Sequence, residues 1–373
     1  MPKIRVLVVD DSVVIRRIIS DIVSSDPALE VAGIAANGRI ALDRIPQVNP
    51  DVITLDVEMP EMDGLQTLKV LRRTYPKLPV IMLSTVTSRG GVATIEALSL
   101  GASDYVTKAA NVGKVGEGIT RVRDELIPKI KALCGVRDFS VAKPQLPQTR
   151  TRAVASAGVL SNRRLEILAI GVSTGGPNAL AELMPGIPSD FPVPIVIVQH
   201  MPPVFTRLLA DRLNANAAIP ISEAAAGTEL MPGMAWVAPG DFHMVLEKSA
   251  SGARIALNKD APENSCRPAV DRLFRSVVKV YGGAVLGVIL TGMGQDGLKG
   301  CQSICEAGGQ VIVQDEASSV IWGMPGLVAR AGMAEKVLPL SQIAGEIMRR
   351  AAAGRNRLGG GHQGLSNHGH IGR

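Results

Sequence analysis

Residues 51–64 read DVITLDVEMPEMDG. The apolar run 52–55 stops at an acidic residue, Asp56, and Met-Asp-Gly then leads into an amphipathic stretch at 64–74. A short apolar run bounded by turn residues and followed by a helical period reads as a buried strand and its crossover helix. The same order recurs on both sides. Apolar runs at 4–9, 31–35, 80–83 and 104–107 alternate with amphipathic stretches at 13–24, 38–46, 89–100 and 114–133. Five β-α repeats predict a five-stranded parallel, flavodoxin-like α/β sheet with helices on both faces.

Sites in such sheets form beyond the carboxyl ends of the strands. Asp10 and Asp11 follow the first strand, Asp56 ends the third, Ser84 and Thr85 follow the fourth, and Lys108 follows the fifth. Clustered carboxylates suit a hard divalent cation such as Mg2+. A carboxylate is also a nucleophile toward phosphorus, giving an aspartyl phosphate, and Lys108 would neutralise the same oxygens as a point charge. Singly, Asp10 and Asp11 read more readily as helix caps; convergence of three loops is harder to explain that way.

VLVVDDS, DVITLDVEMPEMDG, LPVIMLST and GASDYVTK resemble the receiver domain of bacterial response regulators, over about residues 3–130. The resemblance implies phosphorylation of Asp56 by a histidine kinase and Mg2+ binding by Asp10, Asp11 and Asp56. It makes Ser84 the hydroxyl that turns toward the phosphate and Tyr105 the aromatic switch. One departure is Ala109, which follows Lys108 where many receivers carry proline.

The rhythm breaks over 134–164, where Pro, Ser, Thr and Arg occur without a sustained period, as expected of a linker. With residues 1–133 read as the receiver, a second and larger domain is predicted from 165 to 352, a doubly wound α/β hydrolytic unit. Its strands are expected at 167–171, 195–199, 234–238, 285–291 and 310–314, and its helices at 177–184, 203–214, 268–281, 296–307 and 340–352. Residues 353–373 form a Gly- and His-rich tail expected to be disordered.

Within the second region, ILAIGVSTGGPNAL carries a strand, a turn of small residues around Ser173, and a helix. Small residues permit a sharp turn that exposes the hydroxyl, and the new helix offers free N–H groups to an oxyanion. The spacing is not G-x-S-x-G, and the loop lacks the Lys-Ser/Thr ending of a phosphate-binding loop. A serine nucleophile needs a base. Of five histidines three lie in the tail, leaving His200, after the run PIVIVQ, and His243, after a Pro-Gly-Asp turn. The strand-end position favours His200. The base needs an orienting carboxylate, and VLGVILTGMGQDG supplies Asp296, which reads alternatively as an N-cap of the helix that follows.

GVSTGGP, VQHMP, APGDFHM, RPAVDRLF and LTGMGQDG together resemble the catalytic domain of the chemotaxis protein-glutamate methylesterases, the CheB family, over about 165–350. The resemblance implies a Ser173–His200–Asp296 triad, an oxyanion contact from the N–H of Met293, and Thr174 lining the site. It implies hydrolysis of glutamate methyl esters on chemoreceptors, with glutamine deamidation as a second activity. The esterase site needs no cofactor.

Composition narrows the alternatives. The formal net charge is +6, but residues 134–164 hold 6 basic residues and 1 acidic, while 165–373 balances at 17 of each. The excess therefore belongs to the linker, and a receiver with a basic DNA-binding output is disfavoured. Aromatic residues are only 3%, too few for a base-stacking platform. The four cysteines read as reduced, cytoplasmic thiols, and neither a signal peptide nor a membrane span is expected. A non-catalytic receiver scaffold is the remaining alternative.

Overall fold

The computed structural model describes residues 2–108, 115–135 and 164–353, apart from the single positions 86 and 251. Ala109, most of the linker and the histidine-bearing tail lie outside the described residues.

In the N-terminal unit, β1 (Ile4–Val9), α1 (Val13–Ser24), β2 (Leu29–Ala35), α2 (Gly38–Val48), β3 (Val52–Asp56), α3 (Gly64–Thr74), β4 (Val80–Ser84), α4 (Ser88–Ser99), β5 (Asp104–Thr107) and α5 (Val115–Leu133) alternate as expected. The strands form one parallel sheet in the order β2-β1-β3-β4-β5. The sequence places the end of α2 at residue 46, but the helix passes the exposed Pro46 and stops at Asn49, in the left-handed region at φ 39°. Pro46 offers no N–H to Leu42 O, and the helix continues for two residues beyond it.

The larger unit contains β6 (Ile167–Val172), α6 (Gly176–Leu183), β7 (Ile195–Gln199), α7 (Phe205–Asn216), β8 (Ile221–Glu223), β9 (Ala235–Val237), β10 (His243–Ser249), β11 (Gly252–Asn258), α8 (Val270–Tyr281), β12 (Val285–Ile289), α9 (Leu298–Glu306), β13 (Gln310–Gln314), α10 (Met324–Arg330), β14 (Lys336–Leu338) and α11 (Leu340–Ala353). Seven strands form a parallel sheet in the order β14-β13-β12-β6-β7-β9-β8. Along β6, Leu168, Ile170 and Val172 face the cluster that includes Leu180, Leu209 and Ile343, while Ile167 and Ala169 face Leu273, Phe274 and Ile304. This alternation, with helices on both faces, is the doubly wound arrangement. Two expected strands are shorter than their apolar runs, 234–238 and 285–291, because their ends turn into loops. The short strands β8 and β14, the helix α10 and the antiparallel hairpin β10–β11 were not anticipated. Among the described residues no helix is long and apolar enough to cross a membrane.

Candidate active site

The larger sheet grows from β6 in both directions, toward β7 on one side and β12 on the other. Such a switch point opens a crevice at the carboxyl ends of the strands. Ser173 directly follows β6, His200 directly follows β7, and Asp296 lies in the loop between β12 and α9. Val172 and Gln199 are register partners, so Ser173 and His200 leave the sheet side by side. The Ser173 N–H donates to Thr291 O at 3.0 Å, which fixes the turn against the end of β12.

The turn depends on two glycines. Gly175 has φ 78°, a region that glycine enters without the Cβ penalty. A Cβ on Gly176 would collide with Gln199 Oε1. Gln199 is buried, and its Nε2 donates to Ser173 O at 3.0 Å and to His200 O at 3.3 Å. One amide thus ties together the backbones of the two residues.

His200 Nε2 lies 2.8 Å from Asp296 Oδ2. With the carboxylate accepting, Nε2 carries the hydrogen and Nδ1 is the basic nitrogen. Asp296 is 2% exposed, yet its oxygens are well satisfied. They accept from the N–H groups of Val270 at 2.6 Å, Asp271 at 3.0 Å and Gly297 at 3.0 Å, and from Asn264 Nδ2 at 2.9 Å. The capping role foreseen for Asp296 therefore falls chiefly on α8, which starts at Val270, rather than on the helix that follows it. Burial works to raise Asp296, but the His200 bond and these N–H donors hold it below the usual carboxylate range. Burial likewise works to lower His200, but its contacts with Cys266 and with the Asp296 carboxylate lift it above the usual histidine range.

Cys266 was not anticipated. Its Sγ is 3.6 Å from His200 Nδ1 and 3.4 Å from Asn264 O. Ser173 Oγ forms no hydrogen bond to His200 in this arrangement; the thiol occupies that side of the ring. Nothing in the spacing of the loop before α8 signals this contact, because it is made by tertiary approach. Asn264 was also missed. It has φ 52° and bridges Asp271 Oδ2 at 3.0 Å and Asp296 Oδ1 at 2.9 Å.

Thr174 is buried, and its carbonyl accepts from Thr291 Oγ1 at 2.9 Å. Met293 follows Gly292, where an added Cβ would stand 2.8 Å from Ser173 Cβ, so this loop runs along the flank of the serine. His243 lies apart from the site: it opens β10, is fully buried, and its Nε2 is 3.1 Å from Ala261 O.

The acidic cluster of the smaller sheet is also brought together. Ligand oxygens of Asp10, Asp11 and Asp56 lie within 4.8 Å of one another, an all-oxygen set that fits Mg2+. Lys108 Nζ is 2.7 Å from both Asp10 Oδ2 and Asp56 Oδ1. Burial pushes Asp56 up to about 6 against the pull of Lys108. Ser84 is bonded into α4: its hydroxyl is 3.2 Å from Gly90 O and accepts from Thr94 Oγ1 at 2.6 Å. Tyr105 points to the other unit, where its ring stacks on Phe205 at 5.1 Å between centroids.

That stack belongs to a wider contact between α4 and α7. A Cβ on Gly91 would come 2.8 Å from Leu208 Cδ1, so the two helices are in close contact. Nearby, a cavity of about 800 Å³ separates α5 from the loop next to Cys266, with Thr120, Arg121, Asp124 and Glu125 on one side and Ser265 on the other.

Comparison with known proteins agrees with both halves of this description. The family described as CheB methylesterase matches residues 168–347, and the response regulator receiver domain matches residues 6–119. A protein-glutamate methylesterase/protein-glutamine glutaminase of Trichodesmium erythraeum is 57% identical, covering 94% of this chain and 99% of its own length. A protein of the same name from a Nocardioides species is 51% identical, covering 96% and 98%. The crystal structure of the Thermotoga maritima CheB methylesterase catalytic domain covers 50% of this chain and 98% of that one, at 42% identity and a TM-score of 0.49.

Proposed function

We propose, since this chain belongs to the CheB methylesterase family and carries an N-terminal receiver domain, that it hydrolyses glutamate methyl esters on chemoreceptors under phosphorylation control. The observation that carries the reading is the 2.8 Å contact of His200 with Asp296, at the sheet edge where Ser173 ends β6.

The Ser173 hydroxyl displaces the Cys266 thiol at Nδ1 when substrate enters, and then attacks the ester carbonyl. His200 takes the proton at Nδ1, and Asp296 holds the Nε2–H and offsets the imidazolium charge. The oxyanion is received by N–H groups, that of Met293 among them. Collapse passes the proton from Nδ1 to the departing methoxide, releasing methanol. Water then attacks the acyl-enzyme with His200 again as base, freeing the glutamate carboxylate. A receptor glutamine enters the same sequence with ammonia as the leaving group.

The receiver controls access. Asp56 is phosphorylated by a histidine kinase; Asp10, Asp11 and Asp56 would hold Mg2+, which would neutralise phosphoryl charge, and Lys108 steadies the same oxygens. Ser84 then leaves Gly90 and Thr94 for the phosphate. This frees the start of α4, whose neighbour Gly91 abuts Leu208 of α7. Since α7 begins just beyond His200, loosening this contact opens the cavity between α5 and Ser265 to a receptor segment. A shift of about 1.4 kcal/mol in that equilibrium changes the open fraction tenfold.

The test is methanol release from methylated receptor membranes with and without a small phosphodonor. The wild type should be stimulated and Asp56→Asn should not. Full stimulation of the Asn variant would refute the regulatory reading, and absence of methanol release under all conditions would refute the enzymatic one.

A further inference from the structure

The contact between Cys266 and His200 has the dimensions of a metal bite. We propose that Cys266 Sγ and His200 Nδ1 bind a soft divalent cation of the Zn2+ type, and that the bound ion shuts the esterase site. The proposal rests on the reading of His200 as the base, and adds a metal-dependent off-state to it.

Three observations support it. The Sγ and Nδ1 atoms are 3.6 Å apart. Bonds of about 2.3 Å to sulfur and about 2.0–2.1 Å to nitrogen, at a tetrahedral angle, span about 3.6 Å. The separation therefore matches that of two atoms bound to one tetrahedral ion. Second, Asp296 Oδ2 already holds the opposite ring nitrogen at 2.8 Å. A carboxylate behind the imidazole fixes the tautomer and raises the basicity of the ligating nitrogen, as at many zinc-histidine sites. His200, Cys266 and Asp296 each offer a potential ligand atom within 4.8 Å of the others, so the carboxylate stands close enough to offset the charge of the ion. Third, neither ligand is sealed off. Cys266 and His200 are partly exposed, and Ser265 lines the adjoining cavity. Water, or the neighbouring Ser173 hydroxyl, completes the coordination.

The balance is simple. Either the thiol or the imidazolium gives up one proton to solvent, and the ion is held by a thiolate and a neutral imidazole whose Nε2–H still faces Asp296. Nδ1 is then unable to accept a proton from Ser173, so inhibition follows from occupancy and is reversed by a chelator. The acidic cluster in the receiver offers only carboxylate oxygens, and three tail histidines (His362, His368 and His370) offer only nitrogen, so a thiolate signature separates this site from both.

The experiment uses the full chain with Mg2+ in excess. Co2+ is added as a spectroscopic stand-in, and Zn2+ is titrated during ester hydrolysis. The wild type should show a near-ultraviolet thiolate-to-cobalt charge-transfer band, and Zn2+ should suppress its hydrolysis at least tenfold, reversibly. Cys266→Ser should lose the band, and whatever activity it retains should need at least tenfold more Zn2+ for the same suppression. If that variant folds poorly, alkylation of Cys266 in the wild type, mapped by peptide mass, should slow at least tenfold when Zn2+ is present. An unchanged band or unchanged Zn2+ sensitivity in a folded Cys266→Ser protein overturns the proposal, as does undiminished alkylation. The band and the alkylation rate do not depend on turnover. A chain that binds cobalt through Cys266 but releases no methanol would thus fail the enzymatic reading alone.

Discussion

The ring of Tyr105 in the receiver lies on the ring of Phe205 in the larger unit, 5.1 Å between centroids and 7° from parallel. Tyr105 is therefore part of the interdomain contact, and Phe205 opens the helix that follows the His200 loop. Lys129 braces the arrangement, with Nζ 5.1 Å from the centre of the Tyr105 ring and 2.6 Å from its carbonyl oxygen.

Replacing this ring with an aliphatic group of similar bulk keeps the burial and removes the stack. An aromatic pair contributes about 0.5–1.5 kcal/mol beyond its buried area. Tyr105→Leu should therefore raise methanol release by the unphosphorylated protein roughly two- to tenfold and compress the stimulation by phosphodonor. Initial rates with and without phosphodonor check this; an unchanged basal rate would separate the stack from control.

Asp296→Asn keeps the size of the side chain but removes the charge that orients His200. The loss in kcat should be about 10⁴-fold, the scale seen when a triad carboxylate is replaced by its amide. Part of the amide's surface would face the N–H donors of Val270 and Asp271 badly, so thermal melting of the variant should be recorded beside its rate.

Gly176→Ala tests the Gln199 clamp. The added methyl would press on Gln199 Oε1 and on Val172 Cγ2, both buried, so some fall in Tm is expected as the amide is pushed aside. The amide would then release the carbonyls of Ser173 and His200. A misplacement of about 1 Å at reacting groups costs on the order of 10²-fold, so kcat should fall by that amount with KM nearly constant. A large fall in Tm with an unchanged kcat would mean that Gln199 serves the fold rather than the site.

Glu346 supplies a pH test of stability. Arg349 Nη2 at 2.6 Å, Arg350 Nε at 2.8 Å and Lys336 Nζ at 3.0 Å donate to it. The Arg349 bond, with those of Arg350 and Lys336, holds the carboxyl well below its usual range despite burial. A depressed carboxylate stabilises the fold above its unfolded pKa and ceases to do so as pH falls toward its folded pKa. Glu346→Gln should accordingly lower Tm at pH 7, and the gap from the wild type should narrow as pH falls below about 4. Melting curves across pH 3–7 check the sign.

Much of this architecture was legible in the chain. The strands at 104–107 and 195–199 were located to the residue, because each is an apolar run closed by polar or turn residues. The strand-end logic then brought His200 and Asp296 to one crevice, as it did Asp10 and Asp56 in the smaller sheet. What escaped the sequence depends on contact rather than period. The hairpin β10–β11 was missed although the first half of β11 alternates exposed and buried residues. Cys266 and Asn264 reach the site from a loop without periodicity. That Asp296 caps chiefly α8 rather than α9 became visible only once the start of α8 was placed beside it. The partner of Tyr105 lay on another domain, beyond any local pattern.

The proposed nucleophile is Ser173, rather than the Cys266 thiol on the same histidine. The most direct measurement is the site of covalent labelling by a fluorophosphonate that mimics the ester, mapped by peptide mass alongside loss of methanol release. Attack by Ser173 requires one adduct, on Ser173, growing in step with inactivation and absent from His200→Gln at matched exposure. An adduct on Cys266 with Ser173 unmodified, or full inactivation without labelling at Ser173, would contradict it.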